Sequence, residues 1–274
     1  VTWKDALTLT GNTVVDIALQ PDEYLLKGIE VVGNRKHSGQ FSLEAKEMQA
    51  LPAVGGEPDL MKSLQLLPGV QSGNEGANNI SVRGGSQWGN LVLLDEAVVY
   101  NPSHVLSFFS VFNNDAIREV NLYKSFFPLK YGGRSSSVID VRMREGNSKE
   151  NERSASLGLI SSKLLLEGPL KKEESSYLVS GRFGYPGVVA GLLGSELASK
   201  PQMWFYDVNA KVNGTLNDRN RIFFSLYSGG DHTVFNKLVR GYGMDWGNAT
   251  ATVRWNHILN DKTNVNTSAV FSNY

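Results

Sequence analysis

The chain has no cysteine among its 274 residues, and this absence removes disulfides, thiolate nucleophiles, zinc–thiolate sites and a lipidated cysteine from its chemistry. Charge of one sign is missing as well. Lys+Arg and Asp+Glu both total 27, so no basic field exists to attract nucleic acid, and nucleic acid is not expected as a partner. No apolar run approaches the roughly 18 residues that mark a membrane-spanning helix. If a membrane is involved, strands must do the spanning. Histidine is scarce: His37, His104, His232 and His257 lie far apart without a His-Glu-x-x-His spacing. Neither catalysis nor a metal site is therefore expected, and no cofactor is called for. Val1-Thr2-Trp3-Lys4-Asp5 has neither a basic start nor an apolar core, so the sequence reads as beginning in mid-domain.

What is present falls into four zones. Residues 1–24 hold two β-prone pieces around Gly11-Asn12 and read as the end of a β-domain, too short to bury a core alone. Residues 25–36 hold a short strand, Gly28-Ile29-Glu30-Val31-Val32-Gly33, whose free backbone groups suit pairing with a partner's sheet edge. Residues 37–150 mix helices and strands. Leu43 to Ala50 predicts a short helix capped by Ser42, and Pro58 to Leu67 a second, with Leu60, Leu64 and Leu67 on one face. Strands are expected at Ile80–Arg83, Leu91–Leu94, Ala97–Tyr100, Ile117–Tyr123 and Val138–Met143, forming a mixed sheet.

Residues 151–274 alternate with period two. In Trp204 to Asn217 the even positions are Trp, Tyr, Val, Ala, Val, Gly and Leu, and the odd ones Phe, Asp, Asn, Lys, Asn, Thr and Asn. Trp246 to His257 repeats the pattern, and Tyr177 to Tyr185 and Thr263 to Tyr274 do so more weakly. A phase flip predicts a tight join near Ile160 to Ser162. The remaining connections alternate: short at Lys171–Ser175, long at Gly187–Met203, short at Asp218–Asn220, long at Asp231–Asp245 and short at Asn260–Lys262. Seven strands with short turns on one side and mostly longer loops on the other are the pattern of a membrane β-barrel, with aromatics near strand ends as girdles.

Several segments then carry a resemblance by their joint order: Pro68-Gly69-Val70, Ile80-Ser81-Val82-Arg83-Gly84-Gly85, Leu91-Val92-Leu93-Leu94-Asp95, Tyr100-Asn101-Pro102-Ser103-His104, Val120-Asn121-Leu122-Tyr123-Lys124 and Tyr131-Gly132-Gly133-Arg134-Ser135-Ser136. From Leu25 onward the chain resembles a TonB-dependent outer-membrane receptor of the Bacteroidetes type, and residues 1–24 are similar to the end of a carboxypeptidase-regulatory-like domain. Glu96 departs from the pattern, since a glycine usually follows the strand aspartate.

The resemblance implies an α+β plug domain followed by the N-terminal part of a large antiparallel transmembrane β-barrel, about 22 strands when complete, in the bacterial outer membrane. Seven strands fall short of that number, so a large C-terminal portion is expected beyond this sequence. The implied function is nutrient import energised through a TonB-like periplasmic protein, with Gly28, Ile29, Glu30, Val31, Val32 and Gly33 as its contact. An alternative is a receptor-like barrel acting as a structural or assembly subunit of a larger outer-membrane complex, and a third, ranked last, is a soluble β-rich binding module. Further expected partners are membrane lipid and a surface lipoprotein lid or other complex subunits. Gln87, Trp88, Tyr100, Asn101, His104 and Phe108 are the candidates for substrate contact, because polar and aromatic loop groups suit sugars, peptides or chelates. Arg83, Gly84, Gly85, Asp95, Tyr131, Gly132 and Gly133 are expected to shape the plug.

Overall fold

The computed structural model describes residues 39–44, 47, 53–54, 57–73, 77–192, 202–235 and 242–274. All belong to one compact unit, Lys36–Tyr274. The segments 1–24 and 25–36, including the strand at Gly28 to Gly33, lie outside the described residues.

The first half is built on a five-stranded mixed sheet, ordered β1 (Gln40–Glu44), β10 (Ile117–Tyr123), β11 (Ser137–Met143), β6 (Asn90–Leu94) and β7 (Ala97–Val98). The β11–β6 pair is parallel and the others antiparallel. Every residue of β6 is buried because both faces of the sheet are covered, which is why Leu91 to Leu94 reads as an unbroken apolar run. Val92 and Leu94 join Val120, Leu122, Ile139, Val141, Leu60 and Leu64 in the main core, whereas Leu91, Leu93 and Val138 pack with Tyr123 and Tyr131 on the other face. Between these strands run three short two-stranded pairs: β2 (Ala53–Val54) with β3 (Glu57–Pro58), β4 (Val70–Ser72) with β5 (Ile80–Val82), and β8 (Ser103–His104) with β9 (Phe109–Ser110).

Two expectations are corrected here. Leu43 does not begin a helix: Gln40–Glu44 is a strand in register with β10, Leu43 opposite Val120 and Ser42 opposite Asn121. The free edge of β10 offers ladder hydrogen bonds that outweigh a marginal local helix preference. The second helix spans Leu60–Gln65 and is capped by Asp59, not opened by Pro58, which lies in β3. The two-residue loop Asp95-Glu96 closes the hairpin β6–β7 with φ of 45° and 78°. Both central residues of such a turn need positive φ, so Glu96 holds a conformation that glycine adopts without strain.

The second half is a seven-stranded antiparallel sheet in sequence order: β12 (Glu152–Leu157), β13 (Ser161–Lys171), β14 (Ser175–Gly184), β15 (Gln202–Asn217), β16 (Asn220–Phe235), β17 (Tyr242–Asn260) and β18 (Thr263–Asn273). Short turns follow β13, β15 and β17. The β12–β13 join falls at residues 158–160, and the long connection after β14 carries a helix, Pro186–Leu192. The long loop expected at Asp231–Asp245 is mostly strand. Asp231 pairs with Trp246 and the ladder runs to Phe235 opposite Tyr242. The inward Asp231 is tolerated there because it bonds the His104 ring and the Val105 N–H of the plug.

The two faces of this sheet are inverted relative to a water-soluble protein. On β15 the polar positions Asp207, Asn209, Lys211 and Asn213 are buried, while Trp204, Tyr206, Val208, Val212 and Leu216 are exposed. On β16 Ile222, Phe224 and Leu226 are likewise outward, while the inward face carries Phe223, Ser225 and Tyr227. An apolar outer band over a polar lumen is what a lipid-embedded barrel wall requires.

Candidate functional site

A cavity of about 760 Å³ opens between the plug and the inner side of β17. Gln87, Trp88, Tyr100 and Asn101, chosen from sequence as substrate contacts, all line it, together with Arg134 and Trp246. Gln87 and Trp88 sit on a single 3-10 turn, Gln87–Gly89, whose first turn is fixed by Ser86 accepting a hydrogen bond from the Trp88 N–H. Asn248 of the barrel wall anchors the other pair. Its Oδ1 accepts from the Tyr100 and Asn101 N–H groups at 3.1 and 3.3 Å, and its Nδ2 donates to the Asn101 carbonyl at 2.8 Å. Gln87 Oε1 and Trp246 Nε1 are buried without a hydrogen-bond partner, one an acceptor and the other a donor. Trp88 and Tyr100 present half or more of their surface. The cavity thus offers the exposed aromatic faces of Trp88 and Tyr100 to an organic solute.

His104 and Phe108 do not line this cavity. Phe108 is half exposed on the turn before β9, while His104 is 1% exposed and used up in contacts with the barrel wall. Its Nδ1 lies 2.6 Å from Asp231 Oδ2 and its Nε2 2.8 Å from Asp207 Oδ1, and the ring stacks on Phe205 at 4.4 Å. His104 therefore belongs to the plug–wall contact and cannot reach a solute in the cavity.

That contact is a continuous polar network. Arg182 of β14 donates from Nε to Asp207 Oδ2 at 2.7 Å, from Nη1 to Glu57 Oε1 at 3.0 Å and from Nη2 to the Ser110 carbonyl at 2.6 Å. Lys163 reaches the same Glu57 oxygen at 2.9 Å, and Ser161 Oγ donates to its other oxygen. Burial alone raises the Glu57 pKa, but the charges of Arg182 and Lys163 outweigh it and pull the carboxyl from 4.5 down to about 2. Nearer the other end of the wall, Asp95 accepts from Lys211 Nζ at 2.8 Å, Ser225 Oγ at 2.6 Å and the Met143 N–H at 3.1 Å. Glu96 pairs with Arg142 at 3.0 Å and Arg254 at 3.3 Å, which offsets the strain of its turn.

The other shaping residues are dispersed. Arg83 is exposed at φ 53° and donates to Ser125 Oγ at 2.9 Å, and Gly84 follows at φ 76°. A Cβ on Gly85 would fall 2.2 Å from Ser136 Oγ and 3.1 Å from the Val82 carbonyl, so this strand end needs glycine. Tyr131 is buried and donates to Asp140 Oδ2 at 2.9 Å; burial and that carboxylate push its phenol pKa up. Gly133 turns the chain at φ 82°, and a Cβ on Gly132 would meet open space. Sequence reasoning missed Glu57, Arg182, Asp207, Asp231 and Asn248. Their one signal was that the last three fall on or beside the polar face of a strand.

Residues 36–139 match the model of the TonB-dependent Receptor Plug Domain. The structure is similar to the siderophore receptor PirA from Acinetobacter baumannii, at TM-score 0.63 and 14% identity over 85% of this chain and 39% of that one. It is similar to the outer membrane transporter YddB from Escherichia coli, at TM-score 0.63 and 16% identity over 85% and 38%, and to the FrpB iron transporter from Neisseria meningitidis, at 0.60 and 13% over 86% and 41%. No curated protein matches the sequence. The chain spans about two-fifths of the length of these solved structures. The fold is a plug domain followed by the first strands of an outer-membrane β-barrel, and the outer membrane is where the chain resides.

Proposed function

We propose that this chain is the N-terminal part of a TonB-dependent receptor that binds a nutrient at the cell surface and imports it into the periplasm. The observation that carries the reading is the polar part of the plug–wall contact: beside apolar contacts such as Val105 and Phe109 on Phe205, buried hydrogen bonds and ion pairs hold the plug against the inner face of an inside-out sheet. Polar contacts can be exchanged for water when a stopper moves, whereas an apolar seam cannot be wetted without a large cost. Gln87, Trp88, Tyr100 and Asn101 are the substrate contacts in this reading. The strand Gly28 to Gly33 is the site where a TonB-like protein adds its own strand, main-chain hydrogen bonds giving a grip that resists pulling.

The Bacteroidetes type, a preceding carboxypeptidase-regulatory-like domain and a surface lipoprotein lid are parts of the same proposal; the first rests on the order of the sequence motifs, the second on the likeness of residues 1–24 and the third on analogy with the family. The test is deletion of residues 28–33 in the full-length protein, with uptake and surface binding measured on the same cells. Uptake is expected to fall to background while binding is kept. Normal uptake after the deletion rejects the reading, and unchanged co-purification with an assembly partner alongside it favours the subunit role.

A further inference from the structure

With both aspartates ionised, the contact at His104 has a geometry that only the imidazolium satisfies. Both ring nitrogens face carboxylate oxygens, Asp231 Oδ2 at 2.6 Å and Asp207 Oδ1 at 2.8 Å. A neutral imidazole has one N–H and one lone pair, so it would leave a lone pair against an anion; the imidazolium donates to both. The remaining acceptors are already engaged. Asp231 Oδ1 takes the Val105 N–H at 2.7 Å, Asp207 Oδ1 also takes the Tyr227 hydroxyl at 2.8 Å, and Asp207 Oδ2 takes Arg182.

The charged groups facing this point come from every element around it: Asp207 on β15, Asp231 on β16, Arg182 on β14, Glu57 on β3 and Lys163 on β13, with Asp115 at the rim 4.0 Å from Lys163. The buried cations His104, Arg182 and Lys163 pair with the anions Asp207, Asp231 and Glu57, and Asp59, also buried, accepts the Ser110 N–H of the same segment. Loss of the histidine proton leaves an unpaired negative charge there.

The segment so held is strained. Val105, Leu106 and Ser107 have φ of 49°, 53° and 79°, three successive left-handed residues, the first of them β-branched. Their conformation depends on the clamp, because Asp231 holds both the His104 ring and the Val105 N–H. The same segment gives Ser103, Leu106 and Ser107 to the cavity wall.

We propose that His104, held between Asp207 and Asp231, is a proton-dependent latch that fastens the plug segment 103–110 to the barrel wall and releases it when the imidazole is deprotonated. The latch works beside two other contacts of the same segment with the wall, the Val105 N–H on Asp231 and the Ser110 carbonyl on Arg182, and does not depend on what the receptor imports. Burial pushes the imidazole pKa down, but the Asp207 charge and the hydrogen bonds to both aspartates prevail and raise it above the ordinary 6.5. A raised pKa means that the latch contributes fully below about pH 6.5 and is lost as pH rises through the raised value.

The test uses a spin label at Leu106→Cys in the full-length protein on a cysteine-free background, with Leu129→Cys as a fully exposed reference. Between pH 6 and 10 the label at 106 is expected to pass from immobilised to mobile in one step, while the reference does not change. His104→Gln is expected to give a mobile label at every pH. Asp231→Asn lets a neutral imidazole accept from the new amide, so its label should stay immobilised with no step. An immobilised wild-type label throughout, a step that survives in Asp231→Asn, or an immobilised label in His104→Gln overturns the latch.

Discussion

Asp59 shows how much of this plug hangs on single carboxylates. Its Oδ1 accepts the Lys62 N–H at 3.1 Å and caps the helix Leu60–Gln65, while its Oδ2 accepts the Asn78 amide at 3.0 Å and the Ser110 N–H at 2.7 Å. One side chain therefore ties a helix start, a loop and β9 together. Asp59→Ala removes a cap worth about 0.5–2 kcal/mol and strands buried donors at about 1–3 kcal/mol. A total loss above about 2 kcal/mol is expected, with faster amide exchange at Ser110. Asp59→Asn keeps one oxygen for three donors and should lose roughly half as much. Exchange at Ser110 unchanged in Asp59→Ala would remove the triple role. The capping position was legible only approximately in sequence, where Pro58 drew attention as a helix starter. The two distant partners, Asn78 and Ser110, were not legible, since nothing local links them to residue 59.

At the scale of the element, the alternation of β15 and β17 was plain in sequence because side chains on a strand have a period of two. The turn positions after β13, β15 and β17 were equally plain. The strand nature of Gln40–Glu44 and of Asp231–Phe235 was hidden, because both depend on a pairing edge, not on local preference. The outward face of β15 leads to a graded prediction. Val208 lies near the middle of the strand and Leu216 next to its end, both exposed. If lipid covers this face, Val208→Arg costs about 2–4 kcal/mol and Leu216→Arg about 0–1 kcal/mol, as the side chain nears the interface. Refolding of the full-length variants into lipid vesicles against denaturant measures both. Equal, small costs at the two positions would mean that the exposed apolar band does not face a bilayer.

For the whole molecule, the plug–wall junction joins two titrating groups of opposite sign. His104 was legible as a notable residue but was assigned to substrate, because Asp207 and Asp231 stand 103 and 127 residues away and the sequence does not bring them near. Glu57 is the acid side of the junction. Its pKa falls from 4.5 to about 2 in the folded chain, so its contribution is complete above pH 4.5 and is lost as pH falls toward 2. The shift corresponds to about 3 kcal/mol as an upper figure. With the latch failing at high pH, docking of the plug should be strongest in a plateau from about pH 5 to 6.5 and weaken on both sides. Urea-driven release of the plug, followed by protease sensitivity of the full-length protein, reads this directly. The release midpoint is expected to drop between pH 4.5 and 2 in the wild type. In Glu57→Gln the midpoint should be lower at neutral pH, because Arg182 and Lys163 lose their shared anion, and nearly flat through the acid range. An acid limb of wild-type steepness in Glu57→Gln would assign it to other groups and would leave Glu57 a packing role only.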